Sequence, residues 1–372
     1  MSEYQFYEFQ SIDKPLSPED RKQIGTWSSR ITPTSRGAIF TYSYGDFPKD
    51  ELAVIEKYFD AMFYISYWGT IRLIFKCPTG LVNRASLKNY CIGGGISIIE
   101  QSGHVIVEME YSDENGLDWI EGKGCLGSLI SLREDIMNGD YRALYLVWLR
   151  NSMGMADDAD EQTDMAPPIP AGMSKLDDAL QSLVELFAID KDYIQAAANC
   201  CGPVTKEVAF DSKTSIKKLT EDDKNEFLGR LLDAEALLSA KLKTHIAHRF
   251  NSGANDITPQ KGKSIAYLSK IVNDVKLERK KADKAKREEQ KLKKLKELEV
   301  SETVYWLKVT QLINNKNAQS YNDAVAVLKD LKELSVHKGR QKEFAEKVQD
   351  IVQEYSRLSS LVSKIKQAKL VD

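Results

Sequence analysis

Along the first 152 residues the apolar positions alternate between strand and helix periods. Tyr4-Gln5-Phe6-Tyr7-Glu8-Phe9 carries bulky residues at both odd and even positions, which predicts a strand covered on both faces. Ser17-Pro18-Glu19-Asp20 supplies an N-cap, a proline at the first helical position and acids in the first turn, so a helix to about Ser28 is expected. Ala38 to Tyr42 reads as extended, and Asp50 to Ile65 as one helix. Tyr58, Phe59, Met62, Phe63, Ile65 and Tyr67 have the spacing of that helix's buried side. Thr70 to Phe75 is a β-rich run ended by Cys77-Pro78. After a short helix near Ser86 to Tyr90, Ile96 to Glu100 and Val105 to Tyr111 flank Gln101-Ser102-Gly103-His104, a hairpin signal. Helices at Leu126 to Met137 and Tyr141 to Arg150 complete an α+β domain over residues 1–152, with about five strands.

The pattern then changes. Residues 153–174 gather Asp157, Asp158, Asp160, Glu161 and Asp164 without apolar partners, followed by Pro167-Pro168-Ile169-Pro170, and read as an acidic linker stiffened by proline. Residues 175–255 are helical in period: Leu176, Leu180, Leu183, Val184 and Phe187, then Phe227, Leu228, Leu231, Leu232, Leu237, Leu238 and Leu242. From 262 to 372 the chain is built of helix formers, with no proline after Pro259. Apolar spacing is almost absent from Glu278 to Gln290. It returns at Leu292, Leu295 and Leu298, continues through Trp306, Leu307 and Leu312, and recurs on either side of His337-Lys338-Gly339. An antiparallel array of helical hairpins is expected there.

Charge sharpens this division. Residues 1–152 carry 15 Lys/Arg against 20 Asp/Glu, residues 153–261 carry 12 against 19, and residues 262–372 carry 25 against 16. Between Lys276 and Lys296 the count is 11 against 4. A helix with that composition stands in solvent or lies on something acidic. Lys276, Arg279, Lys280, Lys281, Lys284, Arg287, Lys291 and Lys294 are its candidate contacts to nucleic-acid phosphate or to an acidic partner. The competing reading is a solvent-bridging helix held by pairs such as Glu278 with Lys281 and Glu289 with Lys293. Its bias toward lysine and lack of interleaved aromatics favour that reading. Docking on the acidic segment 153–170 is a third use for the same charge.

Chemistry is harder to assemble. Asp113-Glu114-Asn115-Gly116-Leu117-Asp118-Trp119-Ile120-Glu121, with His104 nearby, is the most enzyme-like run, and a metal-dependent hydrolase centred there is one alternative. Asp118 stands where a calcium loop needs glycine, so a solvated loop is expected. Gly93-Gly94-Gly95 leads into a strand, where a phosphate loop leads into a helix. His245 and His248 share a helix face but have basic neighbours and no third ligand. The five cysteines are expected to be reduced, and neither a metal nor a cofactor is expected. No run approaches the ~20 apolar residues of a membrane span, and the first ten residues lack a signal-peptide pattern, so a cytoplasmic location is expected. Tyr42, Tyr44, Phe47 and Trp68 fall at turns, where exposed together they mark a partner-docking patch.

Two resemblances add context. Tyr321-Asn322-Asp323-Ala324-Val325 with Leu328, Leu331, Leu334, Gly339 and Phe344 resembles one helical hairpin of the tetratricopeptide type, although the Trp-x-x-Leu-Gly opening is absent. Similar hairpins close some bacterial SWIM zinc-finger proteins, whose Cys-x-Cys ligand pair is missing here. Across its length the chain is also similar to an uncharacterised group of bacterial cytoplasmic proteins. It shares with them Ser2-Glu3-Tyr4-Gln5-Phe6-Tyr7-Glu8-Phe9, Ile12-Asp13-Lys14-Pro15-Leu16, Tyr44-Gly45-Asp46-Phe47 and Tyr67-Trp68-Gly69-Thr70. The expected function is non-catalytic: an interaction or scaffold protein, or an accessory subunit of a bacterial complex, with protein partners.

Overall fold

The computed structural model describes residues 4–113, 122–152, 165–201, 216–250 and 263–371, with side chains from 247 to 250 excepted. The chain forms two compact units, Met1–Lys276 and Leu277–Asp372.

In the first unit six strands form one antiparallel sheet: β1 (Gln5–Gln10), β2 (Gly37–Tyr42), β3 (Ala61–Ser66), β4 (Thr70–Pro78), β5 (Ile96–Gln101) and β6 (His104–Ser112), in the order β2-β1-β3-β4-β6-β5. Side-chain alternation divides the residues between two cores. Phe6, Phe63, Ile65, Leu73, Phe75, Val107 and Met109 face one, Tyr7, Phe9, Phe40, Met62, Tyr64 and Ile74 the other. The second core is closed by α1 (Pro18–Gly25) and α2 (Glu51–Tyr58), through Ile24, Val54, Ile55 and Phe59. Both helices begin on side-chain caps: Ser17 with Asp20 forms a capping box, and Asp50 accepts from the Ala53 N–H. After α3 (Arg84–Lys88), the first core is closed by α4 (Cys125–Leu129), α5 (Ser131–Met137), α6 (Arg142–Ser152) and α7 (Asp178–Leu186), with α8 (Lys191–Cys200) beyond.

The expected helix from Asp50 to Ile65 is therefore corrected: it stops at Tyr58, and Ala61–Ser66 is a sixth strand. Asp60 lies at the break. Its carboxylate accepts the backbone N–H groups of Ile12 at 2.8 Å and Asp13 at 2.9 Å and meets the Lys76 ammonium at 3.3 Å. All six residues of β3 are buried, so the strand has no polar face to betray its period.

Arg133 on α5 is 2% exposed. It donates two parallel bonds to Asp13, at 2.7 and 2.8 Å, and a third to the Lys76 carbonyl at 2.7 Å. The Lys76 ammonium donates in turn to the carbonyls of Ile55 and Glu56. Each side-chain nitrogen of these two buried cations thus meets at least one oxygen.

The expected acidic linker is only partly described, since 153–164 lie outside the described residues. Its proline half is packed: the Ala166 N–H donates to the Lys263 carbonyl at 2.8 Å, Met165 bridges Ser264, and Ala166 and Met173 are buried. Residues 165–174 are thus part of the first unit's body and do not stand free. The helical middle adds α9 (Glu221–Leu232) and α10 (Leu238–Phe250).

A 36-residue helix, α11 (Ile265–Val300), follows. Val272 and Val275 on its early turns pack with Ala196 of α8. In the second unit its Leu295 and Leu298 pack with Leu334 of α13 (Ala318–His337). That unit also contains α12 (Glu302–Asn314), α14 (Gln341–Glu354) and α15 (Ser359–Gln367), whose Val309, Ile313, Phe344, Val348, Leu361 and Ile365 share a core with Tyr321, Ala324 and Leu328. The fold class is thus an α+β N-terminal unit followed by an all-helical end. Among the described residues no helix is long and apolar enough to cross a membrane.

Candidate functional site

The candidate basic contacts lie on α11. From Leu277 to Lys294 every residue is exposed, so these 18 helical positions contribute nothing to a core. At 1.5 Å per residue the stretch is about 27 Å long. Most α-helices in folded proteins are held by tertiary packing of an apolar face. This one is propagated from packed turns at either end and composed of Lys, Glu, Ala and Arg, which need little packing to stay helical.

The eight named cations fall into different settings. Lys276 lies over the Tyr193 ring, 5.0 Å from its centroid. Lys291 meets Glu333 at 3.4 Å and Lys294 meets Asp330 at 2.6 Å, both acids being on α13. Lys284 reaches Glu288 one turn on, at 4.0 Å. Lys280, Lys281 and Arg287 form no ion pair among the described residues, and Arg279 is exposed beside them. The expected pairs Glu278 with Lys281 and Glu289 with Lys293 do not form among the described residues. Exposed pairs of this kind contribute about 0–1 kcal/mol each, so they do not explain why the helix is so basic. Asp330 and Glu333 were not legible as partners. Their spacing of three residues does match that of Lys291 and Lys294, which is the one signal available.

The turn aromatics separate. Phe47 is 8% exposed and stacks 5.1 Å from Tyr7, and Tyr42 meets Tyr7 edge-on at 6.2 Å, so both belong to the second core. They leave the expected docking patch because the Tyr44-Gly45-Asp46-Phe47 turn folds back over β1. Gln5 Nε2 holds it there, donating to Asp46 Oδ1 at 3.0 Å. Tyr44 and Trp68 remain exposed, at 78% and 42%, and Tyr67, expected on a buried helix face, is 55% exposed at the β3–β4 turn. Gln5 on β1 is paired to Tyr42 on one side and Ser66 on the other, so all three rings issue from the same end of the sheet. Strands β2 and β3, which lead into these turns, lie two strand spacings, about 10 Å, apart.

Those enzyme-like features that fall among the described residues find structural uses. Residues 114–121 of the acidic run lie outside the described residues. Asp113 accepts from the Tyr111 hydroxyl at 3.0 Å and meets Arg150 at 3.7 Å, while His104 Nδ1 lies 3.1 Å from the Ser102 carbonyl. Gly95 has φ +76°, and a Cβ there would lie 2.8 Å from the Glu110 carbonyl and clash with Asn151; close packing against α6 therefore requires the glycine. His245 meets Asp223 at 3.4 Å and packs edge-on to Phe227, so it is tied into α9 and is less exposed than the sequence suggests; the His248 side chain is outside the described residues. None of the five cysteines forms a disulfide, and burial pushes the Cys77 thiol up to about 12, which keeps it protonated and inert. Among the described residues no group of three or more His, Cys, Asp or Glu side chains is placed to hold a metal ion. Comparison with known proteins finds no matching protein-family model, curated protein or solved structure.

Proposed function

We propose that this chain is a non-catalytic interaction protein, a scaffold or accessory subunit that takes a protein partner at the Tyr44–Tyr67–Trp68 end of its sheet. The observation that supports this reading is the exposure of three large rings at one edge of an otherwise well-buried aromatic body. Phe6, Phe9, Phe40, Phe59, Phe63 and Phe75 are all at most 3% exposed. Tyrosine and tryptophan present large rigid faces at small entropic cost and are enriched among the residues that dominate binding energy. The backbone under Tyr67 and Trp68 is fixed: the Tyr67 N–H donates to the Tyr4 carbonyl at 2.8 Å, and the Gly69 N–H to the Ser66 carbonyl at 3.1 Å. A rigid platform binds without a further ordering cost.

The test is quantitative affinity capture from the native host with the full chain and with a Tyr44→Ala/Tyr67→Ala/Trp68→Ala variant. A protein retained in stoichiometric amount by the parent and lost from the variant is the expected result. Equal retention by both would remove this surface from consideration.

A further inference from the structure

We propose that the exposed stretch of α11 grips the phosphate backbone of duplex nucleic acid through Lys280, Lys284 and Arg287, without reading its sequence. Charge in the second unit is concentrated here. Residues 277–296 hold ten Lys/Arg against four Asp/Glu, whereas residues 297–372 hold twelve against eleven. The basic excess of that unit is therefore a property of one exposed helix.

Its layout is a stripe. With 3.6 residues per turn, Lys280, Lys284, Arg287, Lys291 and Lys294 fall within an arc of about 80° over about 21 Å, and no acid lies inside that arc. The downstream end is already matched, by Glu333 and Asp330 of α13. Upstream, Lys280 and Arg287 meet no acid among the described residues, and Lys284 only grazes Glu288 at 4.0 Å. The protein thus satisfies part of its own stripe with carboxylates and leaves about 10 Å of it to solvent.

Magnitudes select the partner. An acidic helix could add three further exposed ion pairs, each worth at most about fivefold in an equilibrium constant. Their product, about 150-fold, falls short of the thousandfold that even a millimolar complex requires. An apolar seam could supply the rest, but Leu277 and Leu292 are the exposed large apolar residues of the stretch and lie about four turns apart. The same lack of an apolar face disfavours insertion at a lipid surface. Duplex nucleic acid needs no seam, because its condensed counterions are released as cations replace them. No Phe, Tyr or Trp lies between 277 and 294 to stack on an unpaired base, so the duplex is favoured over the single strand. No Asn, Gln, Ser or Thr stands inside that arc beside the cations, and a regular row of Lys and Arg matches the repeating phosphates, so contact is to the backbone.

The test is fluorescence anisotropy of the full chain with a labelled 20-base-pair duplex of arbitrary sequence, from 50 to 200 mM salt. Three phosphate contacts predict binding that weakens about 40-fold over that range. Lys280→Glu/Lys284→Glu/Arg287→Glu is expected to lose at least roughly tenfold at 50 mM and most of the salt slope. Lys329→Glu/Lys342→Glu/Lys366→Glu makes the same change in net charge at other exposed sites of the second unit and is expected to keep both. Absence of binding at 50 mM, equal loss in the two triple variants, or tighter binding to a glutamate-rich helical peptide or to phosphatidylserine vesicles than to the duplex would each overturn the proposal.

Discussion

Arg133 and Lys76 in the first unit and Lys280, Lys284 and Arg287 in the second carry the same charge under opposite conditions. The first two are 2% and 7% exposed, and their donors end on carboxylates or carbonyls. The other three stand in solvent with one marginal ion pair among them. Burial makes a cation costly unless every donor is met, so a buried cation constrains the chain segments that meet it. Here Arg133 ties α5 to Asp13, 120 residues away, and Lys76 joins β4 to the end of α2. A hydrated cation constrains nothing and stays available to a partner.

The comparison is broken most easily at Asp13. Asp13→Ala leaves the Arg133 guanidinium buried and short of two bonds, and is expected to cost about 3–5 kcal/mol, the usual penalty for removing one member of a buried pair. Urea denaturation reads this as a lower midpoint at unchanged slope. A loss below about 1 kcal/mol would place Asp13–Arg133 with the exposed pairs and dissolve the distinction.

Asp135, half-buried on α5, lies between the two extremes. Burial, then the charges of Asp140 and Asp177, push its carboxyl up from 3.8 to about 6, against a smaller opposing pull from Arg142. Below about pH 3 the group is protonated whether the chain is folded or not, and contributes nothing. Between about pH 4 and 6 the unfolded chain has released a proton that the folded one retains, so stability falls as pH rises through that window. Above it the folded state carries a disfavoured charge. Asp135→Asn should therefore raise the melting temperature at pH 7 and leave it nearly unchanged at pH 3. An equal effect at both values would mean that the side chain's shape matters and its charge does not.

What could be read in the sequence follows the same division. The exposed helix was legible because it depends on composition alone: no apolar residue recurs from Glu278 to Gln290, and none is buried there. The capped helix at Ser17-Pro18 and the hairpin about Gly103 were legible because their signals are local. Strand β3 was not. Phe59, Met62, Phe63 and Ile65 fit a helical face as well as a doubly covered strand, and only Asp60, whose partners are 47 and 48 residues away, marks the break. The packing of 165–170 depends on Lys263 and Ser264, nearly a hundred residues on, so a proline cluster read as a stiffened linker. Arg133 looks like any surface arginine until Asp13 is beside it. Among the candidate contacts, exposure of Tyr44 and Trp68 agrees with their turn positions, whereas Phe47 is drawn inward by the Tyr7 ring, which no local pattern announces.

The smallest effect belongs to the exposed helix itself. Lys280→Ala and Arg287→Ala remove no buried contact and replace good helix formers by the best one, so the second unit should change in stability by no more than about 0.5 kcal/mol, toward greater stability. Lys294→Ala also removes the pair with Asp330, whose members are 59% and 34% exposed, and should cost at most about 1 kcal/mol, a cost that shrinks further in high salt. Thermal denaturation of the three variants at low and high salt separates these cases. A salt-independent loss well above 1 kcal/mol at Lys280 or Arg287 would mean that this face is covered in the folded protein, and would move these cations to the side of Arg133. Wild-type stability together with lost duplex binding would show a helix kept basic for what it touches and not for how it folds.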